Sequence, residues 1–407
     1  MSNKKYSLYA FLGLILLCVV YFLSAHEDPS LGDSLVFTLQ AYKGYEFESN
    51  ATNHMLYANF LSFLHQCLPF VNIHSLCISV SVFSALFFLY FFRKFLVLLG
   101  VTEKISIICM MCLGLSFTFW RQTIITEVYT FYLLFVILFL FNIFKNIIHK
   151  KISNFYWACV FGGIIFLIHI QSILFIPFFV YFIFKEYKNL KHHAIYGILM
   201  SIFIFSILFI PVVLGKHNAM AILTDNAYQD SIFNFNMSII LKSIVKNLSI
   251  LFYNFLFFIL FIILGLKNLK KWDYILVILI PFVVFCIKHN VSDVYVFQLV
   301  PYIFLWLFVG RGMQRFPKKY YLVLPIFFPI FYFSTYKILV NTKIGEKYET
   351  EKGYKGGIRY VAYPPLKGNP PLKIFIQQFE DNTLYDQEPI FESFYHDAKE
   401  WETIKPK

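Results

Sequence analysis

The sequence predicts an all-α polytopic membrane protein. Its mean hydropathy is +0.65, and 59% of its 407 residues are hydrophobic whereas only 14% are charged. Ordinary soluble domains carry about 25% charged residues. In addition, apolar runs near the length of a membrane-spanning helix, ~20 residues, recur along most of the chain. Composition and patterning together therefore exclude an ordinary soluble fold.

About eleven of these runs are expected to form transmembrane helices. The fifth and sixth are short, so we expect them to be kinked or to cross only partly. The first run lacks the small-residue cleavage site of a signal peptide and is expected to remain as the first helix. The runs lie at 7–24, 75–99, 105–119, 131–149, 155–169, 172–185, 194–214, 248–266, 273–288, 295–310 and 320–339.

The basic residues between the runs predict the orientation. With a cytoplasmic N-terminus, the loops on the cytoplasmic side contain 18 Lys and Arg residues and the opposite loops contain 6, by direct count. Such an excess marks the cytoplasmic side. We expect the N-terminus in the cytoplasm and the C-terminus outside, in a bacterial inner membrane. The net charge of +12 follows from this distribution, so no nucleic-acid partner is expected.

Two of the predicted outer loops are long. The first, residues 25–74, carries helix-like apolar spacing over 35–42 and again over 56–64, which predicts interfacial helices lying along the membrane surface. The other, residues 215–247, carries an amphipathic stretch from Phe233 to Lys246. These loops offer polar surface next to the membrane.

The composition changes near Val340 and divides the chain in two. Residues 1–339 form the multi-spanning membrane domain, and 340–407 form a small extracytoplasmic C-terminal segment rich in Gly, Pro and alternating charges. Two helices are expected in this segment, over 371–378 and 390–401. Because it is small and has no cysteine, we expect it to pack on the outer face of the membrane domain.

Polar residues that interrupt the apolar pattern gather on the predicted outer side. A carboxylate at the end of a membrane helix is a functional hypothesis by default. Four outer loops each offer an acid or an imidazole. They are Asp33 and His54 in the first loop, Arg121 and Glu127 in the second, His169 and Gln171 in the third, and His289 and Asp293 in the fifth.

The acids also have structural explanations. Asp33 and Asp293 each precede an apolar stretch and could be N-caps, which fits them as well as function does. Glu127 could stabilise the dipole at the start of a membrane helix. For Glu127 function is favoured by Arg121, because an idle charged pair is costly in so apolar a segment.

The two imidazoles, His54 and His169, also have structural explanations, and these differ in weight. A structural role suits His54 better than a catalytic one. His169 fits a buried, hydrogen-bonded imidazole and a ligand-binding imidazole equally well. Both readings of His169 stay open on sequence alone.

A cavity with these groups suits a lipid-linked phosphate donor. Apolar walls hold the lipid, cations such as Arg121, Lys288 or Arg359 neutralise the departing phosphate, and a carboxylate accepts the proton of an attacking hydroxyl. No P-loop or nucleotide-sugar site is visible in the sequence, so the energy must come with the lipid donor. Two outer acids could hold a divalent metal, but no ligand spacing supports a metal cofactor.

Four stretches together resemble a known family. They are Gly32-Asp33-Ser34 with His54-Met55-Leu56-Tyr57 downstream, Phe119-Trp120 through Glu127-Val128-Tyr129-Thr130, His169-Ile170-Gln171, and Ser292-Asp293-Val294-Tyr295-Val296-Phe297. The tail adds Arg359-Tyr360 and the run from Tyr363 to Gly368. In this order the chain resembles the GT-C type of integral-membrane glycosyltransferases, and more narrowly the transmembrane protein O-mannosyltransferase-like family.

The resemblance implies sugar transfer, with inversion, from a polyprenyl-phosphate donor to an acceptor glycan or protein at the outer membrane face. It implies Asp33 as the catalytic base and Glu127 as the second-loop acid near the donor phosphate or the acceptor. The chain departs from the family in lacking a second acid after Ser34. The substrate-binding residues expected from it are His54, Tyr57, Arg121, Tyr129, His169, Gln171, Asp293, Tyr295 and Arg359.

Two other classes of function remain open on sequence. A transporter or flippase of envelope precursors would use the same acids as proton or substrate sites. A non-catalytic assembly partner in cell-envelope polysaccharide synthesis would need only the fold. Inverted repeats and acids at the bilayer midplane would favour the transporter, and neither is visible in the sequence.

Overall fold

The described part of the chain consists of helices joined by loops. A computed structural model describes residues 2–47, 54–216, 236–267, 272–289, 291, 293–316, 319–385 and 388–405, and these contain no β-strand. The α-helices are α1 Ser2–Ser24, α2 Asp33–Lys43, α3 Met55–Cys67, α4 Ile73–Leu98, α5 Glu103–Gly114, α6 Phe117–Thr123, α7 Val128–His149, α8 Ile152–Ile168, α9 Ile176–Leu190, α10 His193–Phe205, α11 Ile210–Val213, α12 Met237–Phe255, α13 Ile259–Gly265, α14 Trp272–Lys288, α15 Leu299–Gln314, α16 Phe327–Leu339, α17 Lys343–Lys352, α18 Gly357–Ala362, α19 Leu372–Glu380 and α20 Ile390–Ile404. Short 3₁₀ turns extend several of them, at Ile170–Phe175, Ser206–Phe209, Leu256–Phe258, Val294–Gln298, Lys319–Ile326 and Gly353–Lys355.

Eight helical segments within these residues are long and apolar enough to cross a membrane, which makes the chain a polytopic α-helical membrane protein. A ninth is α5 with α6, which are bent by 68° at a short break. The count is thus lower than the expected eleven, although a helix forms at every predicted apolar run. The difference lies in the bent pair and in α8 and α14, which have only 17 residues each.

Burial separates a central span from peripheral ones. In the 18-residue apolar window of the span Val294–Gln314, 83% of the residues are buried inside the protein, compared with 17% in the corresponding windows of His193–Val213 and Tyr321–Leu339. The peripheral spans therefore turn apolar side chains such as Phe203 and Ile338 outwards. An outward apolar surface of this kind is stable against lipid and unfavourable in water.

The central span packs closely against α13 through two glycines. A Cβ atom at Gly265 would clash with the carbonyl oxygen of Phe308, and one at Gly312 would clash with that of Phe261. Only a residue without a side chain fits such a backbone approach. Small residues commonly serve this purpose where membrane helices cross.

The two amphipathic patterns of the first long loop form α2 and α3, as expected. Asp33 is the first residue of α2, and Gly32, with φ of 95°, occupies the N-cap position. The interpretation of Asp33 as an N-cap was therefore wrong, because the chain turns into the helix one residue earlier. The stretch expected from Phe233 to Lys246 lies partly outside the described residues, and from Met237 onwards it belongs to α12.

The tail, defined here as 340–385 with 388–405, contains both predicted helices, as α19 and α20. It packs against the end of the helical bundle that carries Asp33. The carbonyl oxygen of Ser24 accepts hydrogen bonds from the backbone N–H groups of Leu366, at 2.8 Å, and Lys367, at 3.0 Å. Lys43 at the end of α2 forms a salt bridge with Glu400, at 2.7 Å.

The ion pair between Asp28 and Lys405 of the tail is deeply buried on the Asp28 side. The Asp28 side chain is only 2% exposed, and it accepts hydrogen bonds from Trp401 Nε1 at 3.2 Å and from the Leu372 backbone N–H at 3.3 Å. It also forms a salt bridge with Lys405. Burial alone would raise the pKa of Asp28, but the hydrogen bonds from Lys405 and Trp401 outweigh it and hold the pKa below its ordinary value.

Replacing Asp28 by Ala is expected to loosen the tail, because the Trp401 and Leu372 donors lose their buried acceptor. The expected loss of stability is roughly 2–4 kcal/mol. Limited proteolysis and thermal unfolding of the purified protein measure it, with Asp381→Ala on the exposed surface of the tail as the control. Because the native pKa of Asp28 is lowered, its stabilising contribution is present above the ordinary aspartate pKa and disappears as the pH falls through the native one. A tail equally resistant to protease in both variants would contradict this account.

Candidate active site

Three carboxylates from separate segments lie within electrostatic reach of one another. Asp33 is accessible to solvent yet closely surrounded by protein, as a side chain in a cleft would be. Its surroundings raise its pKa above the ordinary value, mainly through burial and then through repulsion by Asp293. Burial raises the pKa of Glu127 further, with additional repulsion from Asp33 and Asp293. The structure thus brings the three predicted acids together.

Hydrogen bonds between α2 and the loop before α7 hold two of these acids in place. The Ser34 hydroxyl accepts a hydrogen bond from the Thr126 backbone N–H, at 3.2 Å. One turn further along α2, the Thr38 hydroxyl donates to the Ser34 carbonyl at 2.7 Å, and its oxygen lies 3.4 Å from the Thr126 hydroxyl oxygen. All three residues are buried. The residues next to Asp33 and Glu127 are therefore fixed to each other.

Asp293 reaches the same region from the start of the central span. It is exposed and occupies the N-cap position of the turn Val294–Gln298, but it makes no capping hydrogen bond, so capping does not explain it. The turn itself is tied to the third loop, because Gln171 Nε2 donates to the Phe297 carbonyl at 3.1 Å. Ser292, which precedes Asp293, lies outside the described residues.

The rings of the two predicted imidazoles pack against each other at an angle of 37°. The ring centroids of His54 and His169 are 4.7 Å apart. His54 Nδ1 lies 2.9 Å from the Ile168 carbonyl oxygen and so donates to it, whereas His169 Nδ1 accepts from the Gln171 backbone N–H at 3.0 Å. Burial lowers the pKa of His54 to about 4, so this ring is neutral at pH 7.

Aromatic rings enclose the imidazole pair. Tyr129 and Tyr132 lie 5.4 Å and 5.3 Å from the His169 ring, and Phe37 lies 5.8 Å from the His54 ring. Tyr57 is fully buried and packs edge-on against Phe37, at 5.2 Å. Tyr129 therefore contacts the imidazole pair directly, whereas Tyr57 lies behind Phe37.

Arg121 does not pair with Glu127, contrary to the sequence-based expectation. Its guanidinium donates to three tail carbonyls, those of Tyr360 at 2.7 Å, Tyr363 at 2.5 Å and Pro364 at 3.0 Å. The side chain is 4% exposed and its guanidinium also lies over the Tyr360 ring, at 4.8 Å. With its donors directed at the tail, Arg121 is a structural clamp in this structure.

Arg359 and Tyr295, which the sequence also predicted as substrate-binding residues, lie in different surroundings from each other. Arg359 donates to the Lys367 carbonyl within the tail, so its hydrogen bonding is local. Tyr295 is partly buried and follows Asp293 at the opening of the central span. It lies close enough to Arg121 and Glu127 for electrostatic interaction. Tyr295 thus joins the site, whereas nothing connects Arg359 with the carboxylates.

Comparisons of the chain with protein-family models, with characterised proteins and with solved structures gave no match.

Sequence reasoning missed a cation of the site. Lys246 on α12 donates to the Val291 carbonyl and lies near enough to Asp293 and His289 for their charges to interact. In the sequence it counted only as a basic residue of a long loop. The sequence did contain a clue to its position, because Lys246 lies within the helical pattern of apolar residues that forms α12.

No group of three or more His, Cys, Asp or Glu residues is arranged to hold a metal ion within the residues described above. The carboxylates lie close enough to repel one another but do not form a ligand cluster. The arrangement therefore offers groups for acid–base chemistry: an accessible acid, a half-buried acid with a raised pKa, and a pair of imidazoles of which His54 is neutral at pH 7.

Arg121→Lys is expected to free the tail around α18, because an ammonium cannot reproduce the fork that reaches three carbonyls. Backbone amide exchange over 357–366 should increase by about tenfold or more, which corresponds to one or two lost charge-assisted hydrogen bonds. Arg359→Lys is the matched control, since its hydrogen bond stays within the tail. If Glu127→Gln released the same segment and Arg121→Lys did not, the clamp would be refuted.

Proposed function

We propose that the protein is a membrane glycosyltransferase of the GT-C type. It moves a sugar from a polyprenyl-phosphate donor to an acceptor hydroxyl at the outer face of the membrane, with Asp33 as general base. The observation that carries the proposal is the convergence of Asp33, Glu127 and Asp293, from three separate segments, at one end of an apolar helical bundle. Charged groups so placed in a membrane protein are costly and are usually functional.

The reaction balances with these groups. The acceptor oxygen attacks the anomeric carbon, the bond between that carbon and the phosphate oxygen breaks, and polyprenyl phosphate leaves with the bonding electrons. Attack from the side opposite the leaving group inverts the anomeric centre. Asp33 takes the hydroxyl proton as the new bond forms. Its solvent-accessible position suits a base that must meet an incoming acceptor.

Glu127 suits a role at the leaving phosphate of the donor. Burial and then the neighbouring acids raise the pKa of Glu127 well above its ordinary value, which favours the protonated carboxyl, and a protonated carboxyl can donate a hydrogen bond to the leaving phosphate. An ionised carboxylate at that position would repel the phosphate instead. The neutral imidazoles and their aromatic neighbours supply a surface of mixed polarity for the sugar.

Asp33→Asn is expected to lower transfer by ~10²–10⁴-fold, the usual contribution of a general base, while expression and membrane insertion stay intact. The measurement is transfer of labelled sugar from a panel of polyprenyl-phosphate donors by the purified protein in lipid. Asp381→Asn, an exposed tail variant, is the control. Undiminished transfer by Asp33→Asn would show that Asp33 is not the general base. Proton-coupled flux of a precursor in liposomes, with no transfer from any donor, would favour the transporter.

The pH dependence of transfer is a separate test. Asp33 must be ionised to accept a proton, so the rate should rise with pH through its native pKa. Since that pKa is raised by burial and by Asp293, the acidic limb should lie above the ordinary aspartate value of about 3.9. Rate measurements at saturating donor locate the limb. A limb at or below the ordinary value would contradict the environment described for Asp33.

A further inference from the structure

Two consecutive helices, α9 and α10, stand apart at the end of the bundle away from the carboxylates. The span that contains α9 begins at Ile170, beside the candidate site, and ends at Leu190, about 30 Å further along by helical rise. Only Lys191 and His192 connect it with α10. The turn between the two helices therefore lies at the opposite end of the bundle from Asp33.

The helix α10 packs mainly on α8. A Cβ atom at Gly197 would clash with the Phe155 ring, and the Ser201 hydroxyl donates to the Cys159 carbonyl at 2.8 Å. Small residues of this kind let two membrane helices approach closely. Between α10 and α9, in contrast, a cleft of about 550 Å³ remains. Its volume is within the usual range of small-ligand sites, roughly 300–1,000 Å³.

The cleft is lined by apolar side chains of both helices. Val180, Ile183, Phe184 and Tyr187 form the α9 side, and Ile198 belongs to the α10 side. The four α9 residues follow the spacing i, i+3, i+4, i+7, so they form one stripe along about two turns of the helix. Phe184 is 82% exposed. Such a stripe would be unfavourable in water, and in a membrane it is a surface for a hydrocarbon chain.

Two lysines follow the stripe where it reaches the turn. One helical turn beyond Tyr187 the stripe arrives at Lys191, about 6 Å further along the axis, and Lys188 is next to Tyr187 in the chain. Both lysines are exposed, and neither forms a salt bridge with any residue that the structure describes. Tyrosine side chains prefer the headgroup level of a membrane, so Tyr187 indicates that the lysines lie at that level.

The other two charged groups of α9 are paired within the protein. Glu186 is only 4% exposed, and it contacts Lys150 Nζ at 2.5 Å and the Tyr274 hydroxyl at 2.9 Å. Lys185 forms a salt bridge with Asp273. The two lysines at the turn are thus left as a net positive charge at the end of an apolar cleft.

We propose that this cleft binds one anionic phospholipid of the membrane. A hydrocarbon chain of the lipid lies along the stripe of α9, and the phosphate of its headgroup lies at Lys188 and Lys191. Basic pockets between membrane helices are known to hold anionic headgroups, above all on the cytoplasmic side, where the basic residues of the sequence predict this turn. The cleft is distinct from any site for the proposed sugar donor, because the carboxylates lie at the other end of the bundle.

A lipid fits the cleft better than a helix of a partner protein does. A helix is about 10–12 Å across with its side chains, and it would have to pack along more than the two turns of α9 that line the cleft. Its apolar face would also leave the two lysines without a counter-ion. An anionic lipid supplies both the chain and the negative charge.

The test measures lipid binding to the full-length protein in detergent micelles by native mass spectrometry. The probes are dioleoylphosphatidylglycerol, which is anionic, and dioleoylphosphatidylcholine, which has the same chains and no net charge. The wild type should bind the first phosphatidylglycerol more tightly. Lys191→Gln should weaken that binding by about fivefold, the usual contribution of one lysine near an anionic membrane surface, and Lys191→Arg should keep it. Lys5→Gln, which removes an exposed lysine of α1, is the matched control and should bind as the wild type does.

A second variant tests the space instead of the charge. Ile198→Trp fills the cleft and should weaken the binding of both lipids. Thermal unfolding shows whether each variant is folded, and Lys191→Gln, whose side chain is exposed, decides the question if Ile198→Trp is not. Equal affinity of the wild type for the two lipids, or undiminished phosphatidylglycerol binding by folded Lys191→Gln, would overturn the site. A dimer that Ile198→Trp dissociates, with unchanged phosphatidylglycerol binding, would assign the cleft to a contact between copies and overturn it as well.

Discussion

The arrangement of the site depends on the buried guanidinium of Arg121. A permanently charged group that is 4% exposed must find acceptors, and it finds them in the carbonyls of Tyr360, Tyr363 and Pro364. This contact joins the bent segment α6 to a part of the chain about 240 residues later. Asp28 makes a second such junction, with Trp401 and Lys405. The tail thereby closes over the end of the bundle where the acids meet.

Electrostatics then distinguish the groups within the site. Asp33 is accessible, the pKa of Glu127 is raised by its surroundings, and the His54 ring is kept neutral by burial. The result is a region with two acids of unlike environment, as acid–base chemistry requires.

Much of the fold was predictable, because membrane helices show themselves as local apolar runs. The helices over 372–380 and 390–404 and the two helices of the first loop also followed local patterns. Asp33, Glu127 and Asp293 were found because an acid is conspicuous beside an apolar run. The role of Arg121 was not found from the sequence, because its partners are backbone carbonyls and a sequence does not show which backbone groups lie nearby.

The central claim is that acids from separate loops form one site. Infrared titration of the carboxyl bands, with Asp33 assigned by the difference from Asp33→Asn, measures this without any assumption about substrate. Because Asp293 helps to raise the pKa of Asp33, Asp293→Asn should lower the pKa of Asp33, whereas Asp381→Asn in the tail should leave it where it was. An Asp33 titration that is the same in Asp293→Asn and in the wild type would mean that the two carboxylates do not share a site.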